Sequence, residues 1–338
     1  MIKNKNTLIY SLSLLTANAI ATPDNIEIVE VHGHTYNHFS GDEIQQRLQN
    51  SGVDFSDAGG VSALPVINGL MGDRISVLAD GAAITAACGN QMNPPLSYIP
   101  SAEVTSLTVL PAVSPVSAGG DNIAGVINVR TFEPQYSDSE IWQHAGNAAY
   151  QYRSNGNAQR VNASVNTYND IWFFRYAGQF EKSDSYENGE GERVRDTLFE
   201  AQNHAAGVGY RNEQHEATIN ITHQAIPNQG FPNQYMDMTD NSSTGVTATY
   251  AYSANGNTLD MHVSFRDVAH TMGFFTDEKP GMMPMETAST DVSQKLIWTH
   301  ATSSGFSLKF GQEYHRYTLD DWWPAVPGSM MMGPDDYV

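Results

Sequence analysis

Two short patterns in this sequence carry donor atoms of one chemical kind. Cys88 and Met92 form C-x-x-x-M, and His270 and Met272 form H-x-M. A helical turn would stack the first pair on one face, and even in a loop the two lie close. On a strand, residues two apart project to the same side, so His270 and Met272 would face one way. A thiolate, two thioethers and an imidazole together suit soft Cu(I), whereas zinc rarely takes methionine. Nine of the 13 methionines, Met236, Met238, Met272, Met282, Met283, Met285, Met330, Met331 and Met332, fall in long connections that should be polar. Beyond Met272, these form a secondary set for capture of the same ion, with adaptable packing as the bland alternative. Cys88 is the single cysteine, so no internal disulfide can form, and a buried inert thiol is its alternative reading. No G-x-S-x-G, H-E-x-x-H or phosphate-loop pattern is present, and nothing selects a catalytic pair among the carboxylates, Asp80 and Asp121 included. The chain reads as a binding or transport protein rather than an enzyme, with no organic cofactor implied.

These donors must be positioned by two unlike segments. Residues 24–131 hold a capped amphipathic helix, with Ser40 and Asp42-Glu43-Ile44 leading to Leu48, and short apolar runs at 75–78, 104–110 and 125–129. That mixture predicts a small α+β domain. From Ala145 the pattern changes to nine candidate strands, near 145–153, 158–168, 171–181, 197–211, 215–224, 244–253, 257–267, 289–300 and 306–317. Val246, Ala248, Tyr250 and Tyr252 alternate with Thr247, Thr249 and Ala251, as a wall between lipid and a wet interior requires. Tight turns at 169–170, 212–214, 255–256 and 303–305 alternate with long links at 182–196, 225–243, 268–288 and 318–338. Outer-membrane barrels sort their connections in this way, short on the periplasmic rim and long outside. Trp322 and Trp323, just past the last strand, suggest an interfacial aromatic girdle.

Residues 1–21 read as a secretory signal: Lys3 and Lys5, an apolar run over 7–15, and Ala19-Ile20-Ala21 as the cleavage site near Ala21. With 17 basic against 37 acidic residues, a formal charge of −20 argues against a nucleic-acid partner and allows attraction of cations. No later stretch is long and apolar enough for a transmembrane helix, so any crossing of the membrane needs a barrel.

Asp24 to Val31, Pro65 to Leu70, Arg74 to Gly81 and Gly119 to Thr131 follow one another in an order and spacing by which the first segment resembles the plug domain of TonB-dependent outer-membrane receptors. Asp24 to Val31 resembles the TonB box, centred on Ile26, Glu27, Ile28, Val29, Glu30 and Val31. Pro65-Val66-Ile67-Asn68-Gly69-Leu70 resembles the family's P-x-I-R-G motif, with Asn68 where arginine is usual. Arg74 to Gly81 resembles the strand and Asp-Gly turn that follow, and Gly119 to Thr131 the end of the plug. The resemblance implies a signal peptide (1–21), a TonB box and periplasmic segment (22–40), a plug (41–131) and the N-terminal part of a barrel (132–338). The expected fold is thus an α+β plug followed by antiparallel transmembrane β-barrel strands, an incomplete version of a 22-stranded family barrel. With nine strands in hand, the chain is expected to be a fragment of a longer receptor or a truncated product.

C-x-x-x-M in the plug with H-x-M in an outer segment resembles the copper branch of that family. The implied ligands are Cys88, Met92, His270 and Met272. The implied function is uptake of copper, as Cu(I), across the outer membrane of a Gram-negative cell, with TonB and outer-membrane lipid as partners. A siderophore, heme or other metal-chelate receptor with a structural Cys88 is the alternative within transport. A secreted enzyme or a surface docking protein are the alternatives outside it.

Overall fold

The computed structural model describes residues 29–32 and 43–324, apart from 58, 62, 113, 115–118, 121, 276–278, 280, 282 and 303–304. The expected signal segment, Ile26, Glu27, Ile28, Ser40, Asp42, Met282 and Met330, Met331 and Met332 lie outside the described residues.

The N-terminal segment builds a mixed five-stranded sheet in the order β1-β7-β8-β5-β6. Its members are β1 (Val29–His32), β5 (Ile75–Ala79), β6 (Ala82–Ala83), β7 (Ser106–Pro111) and β8 (Gly125–Arg130). Strands β5 and β8 run parallel, and the other pairs are antiparallel. Val29, Glu30 and Val31, half of the segment expected to be a TonB box, pair with Val109, Thr108 and Leu107 at the sheet edge. Helix α1 (Glu43–Asn50) presents Ile44 and Leu48, one turn apart, to a core of Val53, Ile67, Val77, Leu107, Ile127 and Val129.

A small second sheet joins β2 (Asp54–Ser56), β3 (Leu64–Ile67) and β4 (Leu70–Met71). The link from β3 to β4 is Asn68-Gly69, with φ of 53° and 74°. A two-residue hairpin turn wants positive φ at both positions, which asparagine and glycine tolerate best. Here the departure from arginine at position 68 makes a turn.

The second segment is one antiparallel sheet of nine strands, each paired with its sequence neighbours. They are β9 (Gln143–Arg153), β10 (Ala158–Tyr168), β11 (Trp172–Ser183), β12 (Phe199–Arg211), β13 (His215–Gln229), β14 (Asp237–Ala254), β15 (Asn257–Gly273), β16 (Met285–Ala301) and β17 (Ser307–Trp322). Its concave face is polar and buried against the plug: Gln179, Glu181, Asn203, Asn220, Gln224, Ser243, Ser264, Asp291 and Ser293. Its outer face is apolar and exposed: Phe174, Tyr176, Phe180, Ile219, Ile221, Val246, Phe265 and Phe310. A sandwich would bury the apolar face; a barrel wall around a wet interior turns it outward. The expected fold class is therefore the one observed, nine strands of an open barrel-type sheet beside a plug. No helix among the described residues is long and apolar enough to cross a membrane.

Two expected loops are shorter than the residue pattern suggests. Ladder pairing carries β13 to Gln229 and resumes in β14 at Asp237, and β15 and β16 stay paired up to Met272 and Met285. Met238, His270, Met272 and Met285 therefore sit on paired strands, and only 230–236 and 274–284 connect them. Strands that rise past an apolar band lose their alternation, because both faces turn polar or pack on other loops.

The seam between the segments is specific. Asp80, at φ 50° before Gly81, accepts from the backbone N–H groups of Thr131 (2.7 Å) and Phe132 (3.2 Å) and from the Thr131 hydroxyl. It thereby holds the point where the chain leaves the plug. Arg266 of β15 donates to Ser243 at 2.9 Å and lies 5.4 Å from the Tyr98 ring centroid.

Candidate metal centre

The loop that carries Cys88 follows β6 and is tied to the nine-stranded sheet just before the cysteine. Thr85 N–H donates to Asp291 of β16 (3.2 Å), and the Tyr317 hydroxyl of β17 donates to the Ala86 carbonyl (2.7 Å). Cys88 to Gln91 then form a β-turn rather than a helical turn, closed by Gln91 N–H to the Cys88 carbonyl at 2.8 Å. Gln91 takes φ 51° and bonds Asp73 at 2.6 Å, which pins the turn to the plug. Met92 follows directly, so the turn rather than helical stacking brings thiol and thioether together.

Both side chains enter one buried cluster with sulfur from the barrel wall. Cys88, Met92, Met236, Met238 and Met272 pack with Ala201, Ile226 and Phe231, and Val61, Phe274, Met285 and Trp323 cover them. Met238 pairs with Met272, and Met272 with Met285, so three thioethers stand side by side on β14, β15 and β16. Trp323, the residue after β17, packs on this cluster instead of joining an aromatic girdle. Met283 stays exposed.

His270 lies on the face of Met272, two residues down β15, and only 2 % of it is exposed. Its Nδ1 lies 3.3 Å from the side-chain oxygen of Asn241, its partner across the ladder. Its Nε2 is buried without a hydrogen-bond partner. Asn93, the residue after Met92, reaches the same Asn241 oxygen at 3.2 Å. Asn93, next to Met92, and His270 thus share one amide oxygen although they lie far apart in the chain.

Burial pushes the Cys88 thiol up, while backbone groups of Met92 and Asn90 around the sulfur pull the other way. A thiol held neutral until a cation arrives is a metal donor that releases its proton on binding. Among the described residues no three His, Cys, Asp or Glu side chains gather into a metal-binding group. A site here must therefore draw on thioether sulfur, the donor that soft ions accept and hard ions do not.

The outer loops close over the cluster. Lys279 donates to the Phe231 carbonyl and to Asp237 Oδ1, both at 2.8 Å, and stands 3.8 Å from Asp196. One ammonium so joins loops 184–198, 230–236 and 274–284. Neither Asn93, Asn241 nor Lys279 stands out in the sequence, since single amides and lysines in polar stretches carry no spacing signal.

The arrangement defines a class: a small α+β plug seated on the polar inner face of an antiparallel barrel wall. Residues 38–126 match the model of the TonB-dependent receptor plug domain. The chain carries that plug domain, and plug and sheet together have the TonB-dependent receptor fold.

No curated protein matches the chain significantly. Among solved structures it is similar to the copper transporter OprC, with TM-score 0.79 and 20% identity over 92% of this chain and 48% of that one. It is also similar to a ferric enterobactin receptor (PfeA) mutant from Pseudomonas aeruginosa, with TM-score 0.65 and 11% identity over 90% and 52% of the two chains. The siderophore receptor PirA from Acinetobacter baumannii follows, with TM-score 0.57 and 11% identity over 80% and 44%. The chain spans about half the length of these receptors.

Proposed function

We propose that this chain supplies the plug and first barrel strands of a TonB-dependent receptor that takes copper across the outer membrane, with Cys88, Met92, His270 and Met272 holding Cu(I). The observation that supports the reading is the buried meeting of plug sulfur with wall sulfur in a cluster built around methionine, with buried His270 two residues from Met272 on the same strand. His270 Nε2 is buried without a hydrogen-bond partner, which leaves that nitrogen free to act as a donor to the ion. Met236, Met238 and Met285 would pass the ion inward or complete its shell, and Met282, Met283, Met330, Met331 and Met332 would collect it outside. TonB would engage the segment from Ile26 to Val31 by strand addition, which means peeling Val29, Glu30 and Val31 from β7. The location would be the outer membrane, after removal of residues 1–21.

The test is a Cu(I) titration of purified receptor against a chromophoric competitor, with Cys88→Ala beside wild type. Loss of the tight site supports the reading, and unchanged binding removes it. A second reading, uptake of a ferric chelate, has its own support. The fold is shared with siderophore receptors, and a cavity of about 580 Å³ lies between the plug and β10–β12, lined by Gln45, Asp57, Arg160, Gln179 and Asn203 among others. Metal analysis after equilibration with copper and with iron chelates separates the two.

A further inference from the structure

Behind His270 runs a ladder of buried amides that crosses four strands. Asn203 of β12, Gln224 of β13, Asn241 of β14 and His270 of β15 all face inward, none more than 4 % exposed. Register places them together, since Asn203 pairs with Gln224 and Asn241 with His270. Each amide has a donor end and an acceptor end, so the direction of every bond depends on its neighbour.

One fixed point decides all of them. The Ser97 backbone carbonyl, on the plug, can only accept, and Gln224 Nε2 lies against it and donates to it. The same nitrogen donates to Asn203 Oδ1 at 3.0 Å. Gln224 Oε1 must therefore point the other way, where it accepts from Asn241 Nδ2 at 3.3 Å. That leaves Asn241 Oδ1 facing His270, and there it also accepts from Asn93 Nδ2. An oxygen acceptor beside Nδ1 requires the proton on Nδ1, so Nε2 carries the lone pair. Nε2 is also the nitrogen buried without a partner.

We propose that Asn241 is a positioning residue of this site: oriented by Gln224 and Asn93, it holds His270 in the Nδ1–H tautomer and presents Nε2 as the imidazole donor to the metal. Two of the three groups that set this orientation, the Ser97 carbonyl and Asn93, belong to the plug. The donor is therefore correct only while the plug is seated. A metal-ligating histidine whose second nitrogen is held in this way gains basicity and a fixed ring plane, and loss of the holding group typically weakens binding about 10–100-fold.

The proposal rests on the copper reading of the same site, and the experiment separates the two. Receptor purified from outer membranes is titrated with Cu(I) against a chromophoric competitor, and copper-edge X-ray absorption counts imidazole in the loaded protein. His270→Ala and Cys88→Ala test the site itself: wild-type affinity in both overturns the copper reading. Given that both weaken binding, Asn241→Leu is expected to lose about 10–100-fold in affinity and to diminish the imidazole scattering. Asn241→Asp keeps an acceptor oxygen for Nδ1–H, and as a buried neutral carboxyl its O–H replaces the Asn241 amide as donor to Gln224 Oε1, so it is expected to restore the imidazole signal and most of the affinity. Wild-type affinity and full imidazole scattering in Asn241→Leu overturn the positioning role. So does a loss in Asn241→Leu that Asn241→Asp shares in full, since that is the behaviour of a packing residue.

Discussion

Replacing Met272 by leucine separates a metal site from a soft apolar core. Met272 is fully buried between Met238 and Met285, two strands' worth of thioether neighbours. Leucine has nearly its volume, and such exchanges usually cost under about 1.5 kcal/mol, whereas alanine would leave a cavity costing about 2–5 kcal/mol. If the cluster only packs, Met272→Leu is therefore almost silent in every assay. If Met272 is one of four donors, the sulfur itself matters. Four-coordinate structural zinc sites bind their metal with about 10–16 kcal/mol, and on that scale one donor in four carries roughly 3 kcal/mol, or about 100-fold in affinity. Competition titration with Cu(I) and a thermal unfolding scan on the same preparation read the two quantities apart. The expected result is a large drop in affinity with a melting temperature within a few degrees of wild type. Cu(I) affinity within twofold of wild type in a folded Met272→Leu would refute the ligand assignment and leave the packing account standing.

Three other outcomes follow from the seam and the loops. Lys279→Met leaves Asp237, which is fully buried, without its ammonium, a loss of roughly 3 kcal/mol in such settings; loop 274–284 should become the first site of limited proteolysis and copper release should quicken, and an unchanged digestion pattern would count against the latch. Burial pushes Glu103 up to about 7 from 4.5, only partly offset by Arg175; a carboxyl whose proton is held more tightly in the folded form contributes stability below about pH 4.5 that is lost as pH rises through 7, about 3 kcal/mol in all. Glu103→Gln should therefore raise the melting temperature at pH 8 and hardly at pH 4.5, and equal shifts at both would contradict the buried-carboxyl account. Asp80→Ala removes the acceptor for three bonds from Thr131 and Phe132; faster hydrogen exchange at those two amides, with about 1–3 kcal/mol less protection, is the expected reading, and unaltered exchange would rule out the clasp.

The candidate sulfur donors were legible because their types are rare. One cysteine, a methionine four residues on, and a histidine–methionine pair stand out from any polar background, and strand alternation put the last two on one face. The nine strands were legible for a related reason: a wall with lipid on one side and a plug on the other alternates strictly. What alternation does not reach is the part of each strand above that wall, and so Met238, His270 and Met272 looked like loop residues although the ladder holds them. The C-x-x-x-M spacing brings its two residues close either on a helical turn or in a loop, and spacing alone does not select the tethered β-turn at Gly89-Asn90 that the fold adopts. The amide ladder was invisible for a deeper reason. Asn93, Gln224 and Asn241 matter only through the direction of their hydrogen bonds, and that direction is set by a backbone carbonyl at position 97 brought to them by the fold.

Why such a site lies on a seam has a physical answer under the copper reading. Cys88 and Met92 belong to the plug, His270 and Met272 to the wall, so an ion held by all four is a cross-link between two bodies. A ligand that binds only the seated state stabilises it by about 2.7 kcal/mol at a hundred times its dissociation constant. Loading the receptor therefore makes the plug harder to displace, and the ion cannot pass inward by equilibrium binding alone. Work applied to the plug would break the cross-link from one side. It would also withdraw Asn93 and the Ser97 carbonyl, and with them the orientation of His270. The pull that moves the plug would then weaken the imidazole donor at the same stroke, so that a site built to grip while seated is also built to let go when drawn.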